Sequence, residues 1–199
     1  MKVSPITAVL SGIILAINVP QVFAASASVY SRYPYPVVCA LVEGIDPTTI
    51  HPPIPPGADF KLLTGDGMHA TAKADVGTAM MCGKQNEVTA ALASNTKPSV
   101  AELEWTLKTD TNVLWWDGSL VDGNPFGAEG FSMTSNGLPF GQPPPSEWHK
   151  CWDVYCAPGV QCSENQVYLT DVSDRNEVDN PTRMCPPDDH LIWVICPHN

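Results

Sequence analysis

Basic residues are scarce in this chain: ten lysines and arginines stand against 21 aspartates and glutamates, a formal charge of −11 over 199 residues. Phosphate contacts need a positive surface, so nucleic acid and anionic lipid are excluded as bulk electrostatic partners. No G-x-S-x-G motif is present, which removes the nucleophile elbow of serine hydrolases. No close C-x-x-C pair occurs either, so Cys151, Cys156, Cys162 and His149 lack the spacing of a structural zinc site. The N-x-S/T match Asn180-Pro181-Thr182 carries the forbidden proline, and no N-linked glycan is expected. Helical periodicity is weak throughout, with no 11-residue window keeping a 3.6-residue apolar period between caps. His51, His69, His149, His190 and His198 show no pairing that points to a triad or a metal. Neither a metal nor a cofactor is expected.

Long apolar runs are scarce as well. The longest, Val9 to Val19, follows Lys2 and precedes the small-residue site Val22-Phe23-Ala24. It falls short of the roughly 20 apolar residues that span a bilayer, and it has the three-part layout of a removable signal. Residues 1–24 are therefore expected to be a signal peptide, leaving one domain over residues 25–199 with no membrane anchor. Losing Lys2, the one charged residue of that leader, takes the formal charge to −12. The domain is expected outside the cell, secreted or in the cell wall, acidic, and folded, because six tryptophans need burying.

What the chain has in quantity is punctuation and sulfur. Cys39, Cys82, Cys151, Cys156, Cys162, Cys185 and Cys196 all follow the leader, and in an oxidising compartment disulfides are the default. Seven is odd: three bridges leave one thiol free or paired between chains, so a monomer or a covalent dimer is expected. Spacing alone leaves the pairing open. Five of the seven lie beyond residue 150, predicting a loop-rich, stapled C-terminal part. Twenty prolines and fourteen glycines break the apolar runs into short pieces, the pattern of an all-β domain. The segments 52–57 and 142–146 are proline-rich loops.

Between the loops, strands are legible. From Ala101 to Lys108, Ala101, Leu103, Trp105 and Leu107 share one face, and Glu102, Glu104, Thr106 and Lys108 the other. The expected strand is half-buried, with two carboxylates on its solvent side. A second strand covers Val113 to Trp116 and ends at Asp117-Gly118. Tyr35 to Val42 reads as an early strand. Leu191 to Cys196, apolar on both faces, reads as an internal strand of a sandwich.

The run Glu104-Trp105-Thr106-Leu107, with Leu114-Trp115-Trp116-Asp117-Gly118-Ser119-Leu120-Val121-Asp122-Gly123-Asn124-Pro125, resembles the thaumatin-like proteins. Their signature reads E-F-T-L, then Y-D-V-S-L-V-D-G-(F/Y)-N-x-P. Pro55-Pro56-Gly57 is similar to the family's Q-P-G loop, and the last strand ends in Cys196-Pro197. Cys156-Ala157-Pro158-Gly159, Cys162, Tyr168 and Asp171 look like the compact fungal branch that carries a yeast-phase-specific-antigen domain. The resemblance implies a thaumatin-like β-sandwich. It departs at Tyr33, which stands where the family's first cysteine belongs; an N-to-C staple would then be Cys39 to Cys196. The family's cleft arginine has Arg32 as its candidate, in the wrong motif.

By that resemblance, Glu104, Asp117, Asp122 and Asp171 take the places of an acidic cleft that binds cell-wall polysaccharide, with Trp115 and Trp116 available to stack on sugar rings. Clustered carboxylates repel, so at least one is expected to hold a proton near neutral pH. Against this, Asp117-Gly118 and Asp122-Gly123 are turn formers in their own right. Three roles follow: binding β-glucan, weak β-1,3-glucanase activity on the same carboxylates, or action on an extracellular protein as an effector or antigen. A binding role without catalytic residues is the leading expectation.

Overall fold

The computed structural model describes residues 25–45, 54–55, 57–135, 151–170 and 181–197. Its strands are β1 (Ser26–Ser31), β2 (Val37–Ile45), β3 (Lys61–Leu62), β4 (Met68–Thr71), β5 (Gly77–Lys84), β6 (Ala101–Lys108), β7 (Val113–Ser119), β8 (Phe131–Ser135), β9 (Val154–Cys156), β10 (Arg183–Cys185) and β11 (His190–Ile195). One helix, α1 (Gln85–Ala93), follows β5 directly. Two sheets form, one ordered β4-β1-β11-β8-β9 and the other β10-β7-β6-β5-β2-β3. The strand pairs are antiparallel except β1 with β11. This is the all-β sandwich expected from the strand pattern and from the resemblance.

Period-two alternation builds the core. Ala27, Val29, Phe131, Met133, Leu191, Trp193 and Ile195 of the first sheet meet Cys39, Met80, Leu103, Trp105, Leu114 and Trp116 of the second, all fully or nearly fully buried. Trp193 sits edge-on to Phe126 and Phe131 at centroid distances of 6.5 and 6.3 Å. The strand expected from Leu191 onward is internal, flanked by β1 and β8.

The outer face of the six-stranded sheet is not simply wet. Val38, Ala79, Met81, Val88 and Val100 form a second small core there, under α1. Gly83 permits this approach, since a Cβ on it would sit 2.6 Å from Val88 and 2.7 Å from the Ser99 carbonyl. The helix escaped the sequence pattern because it is nine residues long and buries one of them, Val88.

The Val113 strand runs on through Asp117 and Gly118 to Ser119. Asp117-Gly118 is therefore strand, not turn. Gly118 lies opposite Leu103, and a Cβ there would meet Met133 Sδ at 2.9 Å and Val167 Cγ1 at 3.0 Å. Close packing of the other sheet, not a chain reversal, is what needs the glycine.

Three disulfides form: Cys39–Cys82, Cys151–Cys185 and Cys156–Cys162. The proposed Cys39–Cys196 staple is corrected. Cys39 of β2 lies directly across from Cys82 of β5, with Cα atoms 4.2 Å apart, whereas Cys196 follows β11 in the opposite sheet. Cys196 is the free cysteine, and it is buried. Burial, with the Glu129 charge adding to it, raises its thiol pKa to about 11. Without reductant, native protein should take up no alkyl group in brief treatment and one after denaturation. A doubled mass, or uptake at Cys39, would overturn this pairing.

Candidate functional site

Two neighbouring strands assemble the acidic site. In the antiparallel register Glu104 of β6 faces Asp117 of β7, and Glu102 faces Ser119. Glu102, Glu104 and Asp117 thus share one face of the sheet, turned away from the main core. Trp115 lies on this face and Trp116 on the other.

The expected solvent side of β6 is in fact covered. Glu102 is 0% exposed and Glu104 8%. Neighbours on β5 explain it: Ala79 is paired with Glu104 and Met81 with Glu102, and both belong to the second small core. Asp122, in the turn after β7, has a wholly buried carboxylate that accepts from Lys97 Nζ. The Val100 backbone N–H donates to the Asp122 carbonyl, tying the β6 approach to that turn.

Desolvation dominates the electrostatics. Burial, reinforced by the Asp122 charge, pushes the Glu102 carboxyl up to about 8. Glu104 is held well above the usual range by burial and then by Asp117 and Glu102. Asp117 is partly exposed as a residue, yet its Oδ1 is buried, and burial pushes its carboxyl up to about 7. Glu104 lies within reach of both Glu102 and Asp117. Among the described residues, no hydrogen-bond partner of normal geometry meets either Glu102 oxygen, Glu104 Oε1 or Asp117 Oδ1, although Ser119, opposite Glu102, still acts to lower its pKa. Ionised carboxylates only accept, so a hydrogen bond between Glu104 and Asp117 needs a proton on one of them.

The cleft arginine is not Arg32. That residue is exposed, and its Nη1 donates to the Pro197 carbonyl at 3.4 Å. Arg183 of β10 is the cation whose charge acts on Asp117. It is 5% exposed, donates from Nε to the Trp152 carbonyl at 2.8 Å, also donates to the Pro181 carbonyl, and lies 5.1 Å from the Trp116 ring centroid. Burial lowers its pKa to about 10.

Of the residues singled out in the sequence, Glu104, Asp117 and Trp115 come together on one face, and Asp122 closes its edge. Trp116 is corrected: it is 1% exposed in the core, with its Nε1–H donating to Cys185 Sγ at 3.0 Å, and cannot stack on a sugar. Asp171 lies outside the described residues, as do His51, His149 and His198. Glu102, Lys97 and Arg183 were missed. Glu102 was legible as the i−2 neighbour of Glu104, but nothing local marks Lys97 or Arg183, which arrive from distant segments. Of the histidines, His69 and His190 both bond the Ser28 hydroxyl. Among the described residues, the group compact enough to hold a metal ion is Cys151, Cys185 and Asp189, and its two sulfurs are already joined to each other. No helix of the described residues is long and apolar enough to cross a membrane.

No protein-family model matches the chain, and no curated protein matches it. Solved structures do. The protein elicitor MoHrip2 from Magnaporthe oryzae is 14% identical, with a TM-score of 0.50 over 87% of this chain and 99% of that one. The thaumatin-like xylanase inhibitor TLXI is 10% identical, with a TM-score of 0.43 over 86% of this chain and 99% of that one. At 14% identity the likeness to MoHrip2 is one of fold, and the chain itself has the all-β, two-sheet, disulfide-bonded architecture that the sequence resemblance implied.

Proposed function

We propose that this chain is a secreted binding protein whose ligand is a cell-wall polysaccharide such as β-glucan, held at the acidic face of β6 and β7. The carrying observation is the row of Glu102, Glu104 and Asp117, raised in pKa by burial and ending at Asp117, which reaches solvent beside Trp115. A carboxyl that keeps its proton near neutral pH both donates to and accepts from sugar hydroxyls. Trp115 offers an aromatic face beside it. Glu102 and Glu104 lie behind Asp117 without touching the ligand; burial is what raises the Asp117 carboxyl, and the hydrogen bond from Glu104 acts the other way. A covalent dimer through the unpaired Cys196 is disfavoured, since that thiol is buried.

Retention on insoluble β-1,3-glucan tests the reading. Trp115→Ala and Asp117→Asn should each weaken binding about tenfold, the loss of some 1.4 kcal/mol. Equal retention of wild type and both variants would sink the site. Reducing-sugar release that Glu104→Gln abolishes would show a weak glucanase instead. A protein partner is the second reading, favoured by a groove of about 500 Å³ lined by Ile54, Pro55, Leu92, Lys97 and Pro98 among others. Its lining is mixed, with Asn95, Thr96 and Lys97 beside the apolar side chains, and its Lys97 is the residue that pairs with Asp122. Cross-linking that recovers one partner, with no glucan retained, would favour this second reading.

A further inference from the structure

The outer face of the five-stranded sheet carries a second polar constellation, unrelated to the carboxylates. Ala27 and Val29 of β1 point into the core, so Ser26, Ser28 and Tyr30 point outward. His190 of β11 lies opposite Ser26, and His69 of β4 lies opposite Ser28. Four hydrogen bonds join them in a line. Ser26 Oγ is 2.7 Å from His190 Nδ1, and His190 Nε2 is 3.1 Å from Ser28 Oγ. Ser28 Oγ is 2.6 Å from His69 Nδ1, and His69 Nε2 is 2.7 Å from the Asp66 carbonyl oxygen. Ser28 is 0% exposed, closed over by these partners.

The last acceptor sets the direction of the whole line. A carbonyl only accepts, so His69 Nε2 carries hydrogen. In a neutral ring, Nδ1 then accepts, and the Ser28 hydroxyl donates to it. Ser28 Oγ in turn accepts from His190 Nε2–H, and His190 Nδ1 accepts from the Ser26 hydroxyl. With both rings neutral, each bond has one donor and one acceptor, Ser28 serving as both, and none conflicts. A proton added to His69 Nδ1 opposes this order: Ser28 then faces an N–H from each ring and has no acceptor for its own hydrogen among them. A second proton, on His190, sets two cations about one buried hydroxyl.

What the line holds is an edge. Among the described residues β4 is the outermost strand and pairs with β1 alone, over Met68 to Thr71. Met68 and Ala70 pack on the main core. We propose that Ser26, His190, Ser28 and His69 form a pH-operated latch that fastens edge strand β4 to β1 and β11 while the rings are neutral and releases it when they take up protons. The groups facing the rings are Ser26, Ser28 and Tyr30 from β1, the Tyr30 ring standing edge-on to His69 at 5.7 Å, and the Asp66 carbonyl ahead of β4. Ahead of β11 stands Asp189, whose Oδ1 accepts the His190 backbone N–H at 2.9 Å. Burial raises the Asp189 carboxyl to about 6, so this anion also fades in acid. Burial and then the His69 ring hold the His190 pKa below 6.5. Its folded value is thus depressed: the contribution is complete above the unfolded pKa and is lost as pH falls through the folded one.

Amide hydrogen exchange between pH 7.5 and 5, corrected for intrinsic rates, tests the latch on the whole protein. Protection across Met68–Thr71 should fall about tenfold more than across β6 in wild type, reporting local opening. In the His69→Gln/His190→Gln variant that extra fall should vanish, and in Asp189→Asn it should persist. No extra fall in wild type, or the same fall in the double variant, would overturn the proposal. Nitrogen NMR of wild type at pH 8 needs no variant: both rings should be Nε2–H tautomers, and an Nδ1–H form on either refutes the latch.

Discussion

Glu102→Gln should make the protein more stable at pH 8 and flatten its dependence on alkaline pH. The wild-type carboxyl has a folded-state pKa of about 8, above its unfolded value of 4.5. The fold therefore prefers the protonated form. Its contribution is complete below 4.5 and is lost as pH rises through 8, which amounts to about 3 kcal/mol between pH 5 and pH 8. Glutamine keeps the shape and cannot ionise. Glu104 and Asp117 shift in the same direction, so the variant retains part of the slope. The histidine latch works in the opposite sense, losing its contribution in acid. Urea titrations of both proteins at several pH values, taken as a difference, cancel the latch and isolate Glu102. A difference that does not grow from pH 5 to pH 8 would show that this carboxyl is not held protonated.

Trp193→Ala should cost about 3 to 5 kcal/mol, the range for emptying a large aromatic site in a core that relaxes only partly. The residue is 0% exposed, sits on the central strand of its sheet, and contacts Phe126 and Phe131 edge-on. Among the described residues its indole Nε1–H has no hydrogen-bond partner. Trp193→Phe removes that unpaired donor along with part of the ring, so it should cost less, about 1 kcal/mol, because a buried group without a partner is itself destabilising. Equilibrium unfolding at constant m-value measures both. Similar losses for the two variants would mean that the indole N–H is satisfied in solution.

Both predictions turn on groups whose importance is partly visible in the sequence. The strand from Ala101 was legible because leucine and tryptophan alternate with glutamate and threonine, and burial on one face imposes period two. The same alternation misled about the other face. It separates two sets of side chains without saying what lies over the second set, and here α1 and Val100 cover its neighbours. Asp117-Gly118 misled for a related reason: glycine marks close backbone approach as well as turns, and only Met133 and Val167 above Gly118 distinguish the two. Trp115 and Trp116 were equivalent as neighbours in sequence, yet adjacent strand residues must point apart, so one lines the acidic face and the other fills the core.

Taken alone, the sequence determined the fold class, the seven cysteines of an oxidised domain, the acidity, the strand that holds Glu104 and the start of the strand that runs on through Asp117. These depend on composition and short-range periodicity, which act within a few residues. Tertiary structure decided the rest. It joined Cys39 to Cys82, left Cys196 free, brought Lys97 to Asp122 and Arg183 toward Asp117, and lined Ser28 up with two histidines. Each of these outcomes depends on which strands become neighbours. That choice is made by burying whole faces against each other, so no local run of residues carries it.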